Sequence, residues 1–151
     1  MNTKKLINEF KLTIDSKSVN EAFARVAVSA FVTPLDPTLE EIADLKTAVS
    51  EAVTNCIVHA YKDTYGKIFI SGKLFDDNTV KIVIRDKGCG IVDVSQAIDS
   101  AFTTGEGDRA GLGFTVMESF CDKINVKSKL TFGTTVTLYK KIEGKSNGNR
   151  P

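Results

Sequence analysis

Between Pro37 and Tyr61 the sequence TLEEIADLKTAVSEAVTNCIVHAY keeps one face apolar for roughly six helical turns. At about 100° per residue, Ile42, Leu45, Val49, Val53 and Cys56 fall together, so this helix must lie across another layer of structure. Its start is marked by Thr38-Leu-Glu-Glu41, a capping box in which hydroxyl and carboxylate each satisfy the other residue's backbone N–H. The opposite side is unusual. Thr47, Thr54, Asn55 and Val58 lie within about 60° of Glu51, which aligns a carboxylate and a carboxamide one turn apart. That stripe faces water or a cleft.

The flanking segments define the layer beneath. Glu9–Ile14 alternates as a half-buried strand, and Ser18-Val-Asn-Glu21 reads as a second capping box opening a helix to about Val32. In that helix Phe23, Ala27 and Ala30 share one face, while Arg25 points the other way beside Glu21 and Ser29. Pro34 and Pro37 interrupt the chain. Strands are predicted over 67–74 and 79–85, joined by the turn Asp76-Asp77-Asn78. The next segment, 86–109, is punctuated by glycines and carries only a short helical piece near 94–101. A third helix over 112–121 leads to strands 123–128 and 134–140 around a turn at Gly133. Hairpin-joined strands with helices gathered between them predict an α+β fold. It is a two-layer sandwich whose mixed, mostly antiparallel sheet is covered on one face by helices. One domain spans 1–142, and the polar residues 143–151 form a disordered tail.

Composition removes several function classes. The 151 residues are 42% hydrophobic, enough for a single core, and 20 Lys and Arg balance 19 Asp and Glu. A net charge of +1 gives no general attraction to nucleic acid or membrane, although a local patch remains open. No signal peptide or membrane span is apparent, and three cysteines without metal-type spacing fit a reduced, cytoplasmic protein. One histidine, His59, makes a His-based metal site unexpected. Gly144-Lys145-Ser146 has Tyr139 where a phosphate loop needs its first glycine, and no G-x-G-x-x-G occurs.

Two further motifs carry chemistry. Asp86-Lys-Gly-Cys-Gly90 follows a strand, and its carboxylate can accept a hydrogen bond from an exocyclic amine where glycines allow close approach. Gly111-Leu-Gly113 opens the third helix, where unpaired N–H groups and the helix dipole suit phosphate. Alone, each describes a solvated face or a strand-ending turn. In order, E-x-x-x-N, D-x-G-x-G, a long Gly-bearing loop, G-x-G and Gly133-Thr-Thr-Val136 resemble the GHKL superfamily of ATP-binding domains, across about residues 10–140. The stretches NEAFARV (20–26), LDPTLEEIADLKTAVSEAVTNCIVHAY (35–61), IRDKGCGI (84–91) and AFTTGEGDRAGLGFTVMESFCD (101–122) are similar, more narrowly, to the anti-sigma F family of spore formers.

That resemblance implies roles. Asn55 matches a magnesium ligand, and Glu51 the general base toward an acceptor hydroxyl. Asp86 matches the carboxylate that reads the adenine amine, helped by Thr134, with Gly88 and Gly90 letting the chain pass the base. Gly111 and Gly113 would offer N–H groups to the phosphates of ATP or ADP. The segment 92–110, bearing Thr104 and Arg109, would close as a lid. Its part 104–110 is Gly-rich and about one residue shorter than usual, which bears on the lid's contacts. Arg25 would meet a partner protein. The implied protein is a dimeric Mg-ATP-dependent serine kinase that inhibits a sporulation sigma factor and phosphorylates the anti-anti-sigma protein opposing it. Neither nucleic acid nor membrane is expected as a direct partner. Rival readings are a sister switch kinase of a stress-response sigma factor, a detached histidine-kinase catalytic domain and a nucleotide-gated binder without transfer activity. The chain has no room for a dimerisation helix pair, and binding alone would not require Glu51.

Overall fold

The computed structural model describes residues 4–61, 64–90 and 106–145, with backbone alone over 106–112. Five strands form one sheet: β1 (Leu6–Asp15), β2 (Lys67–Phe75), β3 (Thr79–Asp86), β4 (Lys123–Lys129) and β5 (Gly133–Lys141), in the order β1-β2-β3-β5-β4. Among the described residues three helices, α1 (Val19–Val32), α2 (Leu39–Asn55) and α3 (Glu106–Phe120), form the second layer. α2 lies between α1 and α3, packing against both.

Register explains why one face takes the helices. Leu12, Ile70, Ile84, Val136 and Val126 stand opposite one another across all five strands, giving a continuous apolar row. Leu45, Val49 and Val53 of α2, Val28 and Val32 of α1, and Phe114 and Met117 of α3 bury against this face. Fully burying an aliphatic side chain of this size contributes about 1.5–3 kcal/mol, so the α2 stripe anchors the layer. The expected apolar face of α1 is displaced. Ala24, Val28 and Val32 are buried there, whereas Phe23 and Val26 are 51% and 61% exposed.

The sheet is antiparallel throughout rather than mixed. β3 and β4 run the same way after the long crossover, but β5 turns back and fills the place between them, so no parallel neighbours form. α2 begins with the expected capping box: the Glu41 N–H donates to Thr38 Oγ1 at 3.1 Å, and the Thr38 N–H to Glu41 Oε1 at 2.9 Å. The box expected at Ser18 is not made, because Glu21 is engaged by Arg25 and Ser50 instead. α2 gives way at Asn55 to one wider π-type turn, Cys56–Ala60. α3 begins at Glu106, earlier than expected, and encloses Gly111 and Gly113. Each interior glycine costs a helix only about 1 kcal/mol, which a strong helix former such as Ala110 or Leu112 and an acidic first turn offset in part.

The chain beyond β5 does not leave the body at once. Glu41 also accepts the N–H groups of Glu143 (2.7 Å) and Gly144 (3.1 Å), and Lys145 N–H donates to the Asp36 carbonyl at 2.8 Å. Residues 143–145 of the expected tail are thus tied down, and 146–151 lie outside the described residues. Among the described residues no helix is long and apolar enough to cross a membrane.

Burial alone would raise the Glu41 carboxyl, but donors from Thr38, Glu143 and Gly144 hold it below its ordinary value. A lowered carboxyl contributes stability above the ordinary carboxylate range and loses it as pH falls through its own pKa. Thr38→Ala is expected to cost about 1 kcal/mol in urea unfolding. Glu41→Ala should cost more, because it also releases residues 143 and 144, and its deficit should shrink on acidification.

Candidate active site

Glu51 and Asn55 leave the core side of α2 to Leu45, Ala48, Val49, Ala52 and Val53, and sit half-buried beneath α3. Gly113 passes directly over them. A Cβ built there would lie 3.2 Å from Asn55 Nδ2, 3.3 Å from Asn55 Oδ1 and 3.3 Å from Glu51 Oε2. Glycine lets the α3 backbone pass both groups without the few tenths of an ångström of displacement that a Cβ would demand of them. Among the described residues, the Asn55 amide nitrogen is buried with no hydrogen-bond partner. An unmet buried amide nitrogen costs about 1–3 kcal/mol, so this carboxamide has a hydrogen-bonding demand that the described residues leave unmet.

Asp86 closes β3, 5% exposed. Its Oδ1 accepts N–H groups from Gly88 at 2.9 Å and Thr134 at 3.2 Å. Among the described residues Oδ2 takes only the Cys56 thiol, at 3.5 Å, and keeps room for a stronger donor. Burial, the largest influence, pushes the Asp86 carboxyl above its ordinary value despite these donors. Burial and the neighbouring Asp86 charge in turn raise the Cys56 thiol well above its usual range, which keeps it protonated. Thr134 contributes its backbone N–H, while its hydroxyl meets that of Ser128 at 2.7 Å.

The two glycines after Asp86 have structural occupants of their own. A Cβ on Gly88 would be 2.3 Å from the Ala60 carbonyl oxygen. Gly90, at φ +79°, lies against the Lys129 carbonyl, 2.4 Å from the same construction. The D-x-G-x-G turn is therefore fitted to the π-type turn on one side and to the β4–β5 turn on the other.

Three residues that sequence reasoning passed over hold this arrangement. Cys56 joins α2 to Asp86. The Tyr61 hydroxyl donates to the Lys67 carbonyl and accepts the Lys87 N–H, both at 2.7 Å, so it fastens the Asp86 turn to the start of β2. Ser50, next to Glu51, donates its hydroxyl to Glu21 Oε1, and Arg25 Nε lies 3.1 Å from the same oxygen. Arg25, expected to face a partner, is thereby held by the Glu21 carboxylate. Of the remaining expected residues, Thr104 lies outside the described residues, and Arg109 and Gly111 fall within α3.

The donors present suit a hard cation held with phosphates. Among the described residues no three His, Cys, Asp or Glu side chains are placed to share a metal. Magnesium bound through substrate phosphates and water needs only one or two protein ligands. The unmatched Asn55 carboxamide fits that demand, since rotation of the amide exchanges its nitrogen for its oxygen.

Comparison with known proteins follows the same lines. Residues 15–140 match the family model of the histidine kinase-like ATPase domain. The chain is 52% identical to the anti-sigma F factor of Caldanaerobacter subterraneus over 89% of its own length and 94% of that protein's. It is 50% identical to the anti-sigma F factor of Anoxybacillus flavithermus, covering 89% and 93%. Among solved structures it superimposes, at TM-score 0.66 and 20% identity, on a Mycobacterium tuberculosis protein bearing RsbU and RsbW domains. That match covers 90% of this chain and 33% of the other. A histidine kinase domain from the blue-light activated kinase of Erythrobacter litoralis matches at TM-score 0.53 and 16% identity, over 87% and 65%. At those identities the structures share the fold.

A raised carboxyl favours folding most when protonated, below the ordinary carboxylate range, and that advantage fades as pH rises through its own pKa. Ionised Asp86 is thus a cost to the fold at neutral pH, and Asn would keep the Oδ1 acceptor. Asp86→Asn is expected to be at least as stable as wild type at neutral pH, with its relative advantage shrinking toward acid. Urea unfolding across pH checks this, and a less stable variant at neutral pH would contradict it.

Proposed function

Because this chain belongs to the anti-sigma F family of histidine kinase-like ATPase domains, we propose that it is an Mg-ATP-dependent protein serine kinase. In this reading it binds and inhibits a sporulation sigma factor and phosphorylates the anti-anti-sigma protein that opposes it. The observation that carries the kinase reading is the Glu51–Asn55 pair beneath Gly113, a carboxylate one turn from an unmatched buried carboxamide. A domain that only bound nucleotide would have use for the carboxamide and none for the carboxylate.

Each residue then has a task. Asp86 Oδ2, met by a weak thiol donor, accepts the adenine amine, and the backbone hydrogen bond from Thr134 holds that carboxylate in place. Asn55 holds magnesium through its amide oxygen. ATP with magnesium supplies the transferable phosphoryl group and neutralises its charge. Glu51 accepts the proton of the serine hydroxyl that attacks, and backbone donors of Gly111 and Gly113 steady the phosphates once α3 starts later than Glu106. Thr104 and Arg109 belong to the segment that closes over the nucleotide. Arg25, aligned by Glu21 on α1, meets the protein partner. The protein would act as a homodimer in the cytoplasm, where ATP and sigma factors are found.

Glu51→Gln is expected to retain Mg-ATP binding by calorimetry and to lose phosphotransfer by roughly a hundredfold or more. Transfer of labelled phosphate from ATP into extract of sporulating cells reads this directly. An acid-stable, Glu51-dependent label on a small protein supports serine transfer. Equal rates in the two proteins would remove the general-base role, and an acid-labile label would indicate histidine chemistry.

A further inference from the structure

The face of the sheet turned away from the helices divides by charge: β1 brings Glu9 and Asp15 to one edge, where Asp15 pairs with Lys67, whereas the β3–β5–β4 side carries cations alone. By strand register, β3, β5 and β4 place Lys81, Arg85, Lys123, Lys127, Lys129 and Lys141 on it, and no carboxylate. The whole chain carries only +1, so the remainder of the molecule is net negative. A solvated sheet face normally mixes signs or pairs them. Here, among the described residues, Arg85, Lys87, Lys127 and Lys129 form no ion pair. Three of them rest on rings instead: Arg85 lies 4.6 Å from Phe69, Lys87 5.2 Å from the same ring, and Lys129 4.6 Å from Phe132.

These cations border a shaped space. β5 contributes small residues to the middle of the face, Gly133, Thr135 and Thr137, between the longer side chains of β3 and β4. The result is an open cleft of about 460 Å3, with Arg85 and Lys87 on one side, Lys127 and Lys129 on the other, Phe132 at its end, and Asp86 as the one carboxylate along its border. Its side walls stand two strand spacings apart, about 10 Å, and the cations within each wall repeat every second residue, about 6.6 Å.

We propose that this trough docks an extended acidic segment of a partner polypeptide. Alternate side chains of an extended chain repeat at the same spacing as Lys127 and Lys129, and the trough is one strand wide. Nucleic acid fits less well. The rings already carry cationic heads instead of offering bare stacking faces. The cleft lies on the sheet face opposite Glu51 and Asn55; Asp86, given above to the nucleotide, borders it at one end, and the variants tested below leave Asp86 in place.

The test is fluorescence anisotropy of a labelled peptide alternating Glu and Thr, titrated with the full chain at low salt. Wild type is compared with Lys127→Glu/Lys129→Glu and with a control of equal charge change, Lys11→Glu/Lys17→Glu. These lysines are exposed, so both variants should fold. Salt-sensitive binding, weakened roughly tenfold or more by the trough variant and little by the control, is the expected result. Equal weakening by both variants, absence of binding, or tighter binding of a single-stranded oligonucleotide of matching length would each overturn the proposal.

Discussion

A carboxylate buried at the end of β3 is the joint on which this molecule turns. Asp86 receives N–H groups from its own turn and from the first residues of β5, and a thiol from the end of α2. One side chain therefore fixes three segments that are far apart in sequence, and does so at a cost, since burial disfavours its charge. A fold seeking stability alone would place an amide or an apolar group there. Retention of the charge makes sense where a ligand amine completes the coordination of Oδ2.

α2 is the second shared element. Its buried stripe closes the core against the sheet, and its other stripe supplies Glu51 and Asn55. Displacement of the helix would damage both at once, so the site takes its precision from the core packing. The same helix carries Ser50, bonded to Glu21 on α1, which in turn aligns Arg25. The candidate partner residue and the candidate base are thus two hydrogen-bonded steps and one peptide link apart. The Asn55 amide, unmatched among the described residues, also gives ligand binding an energetic rationale, because a bound group would remove a penalty of about 1–3 kcal/mol.

Much of this was legible in the sequence where local chemistry and global packing agree. The Thr38 box, the apolar stripe of α2 and the two hairpins rest on short-range patterns, and each is found. The Ser18 box fails because Glu21 is drawn away by Ser50, a residue on another helix that no local pattern reveals. The π-type turn at Cys56–Ala60 was read as more helix, since its apolar spacing is indistinguishable over five residues. Spacing puts Cys56 on the apolar stripe, and only the tertiary fold brings its thiol to Asp86. The antiparallel insertion of β5 between β3 and β4 is likewise a long-range choice. Gly113 was noticed as part of a phosphate motif, and the structure gives it a further reason: close passage over Glu51 and Asn55.

The most direct test of a single nucleotide site built on α2 and the β3 turn is a crystal structure with magnesium and a non-hydrolysable ATP analogue. The expected result places the adenine amine on Asp86, the metal on the Asn55 amide oxygen and the terminal phosphate within reach of Glu51. Nucleotide bound elsewhere, or metal bound to the phosphates without Asn55, would contradict the account.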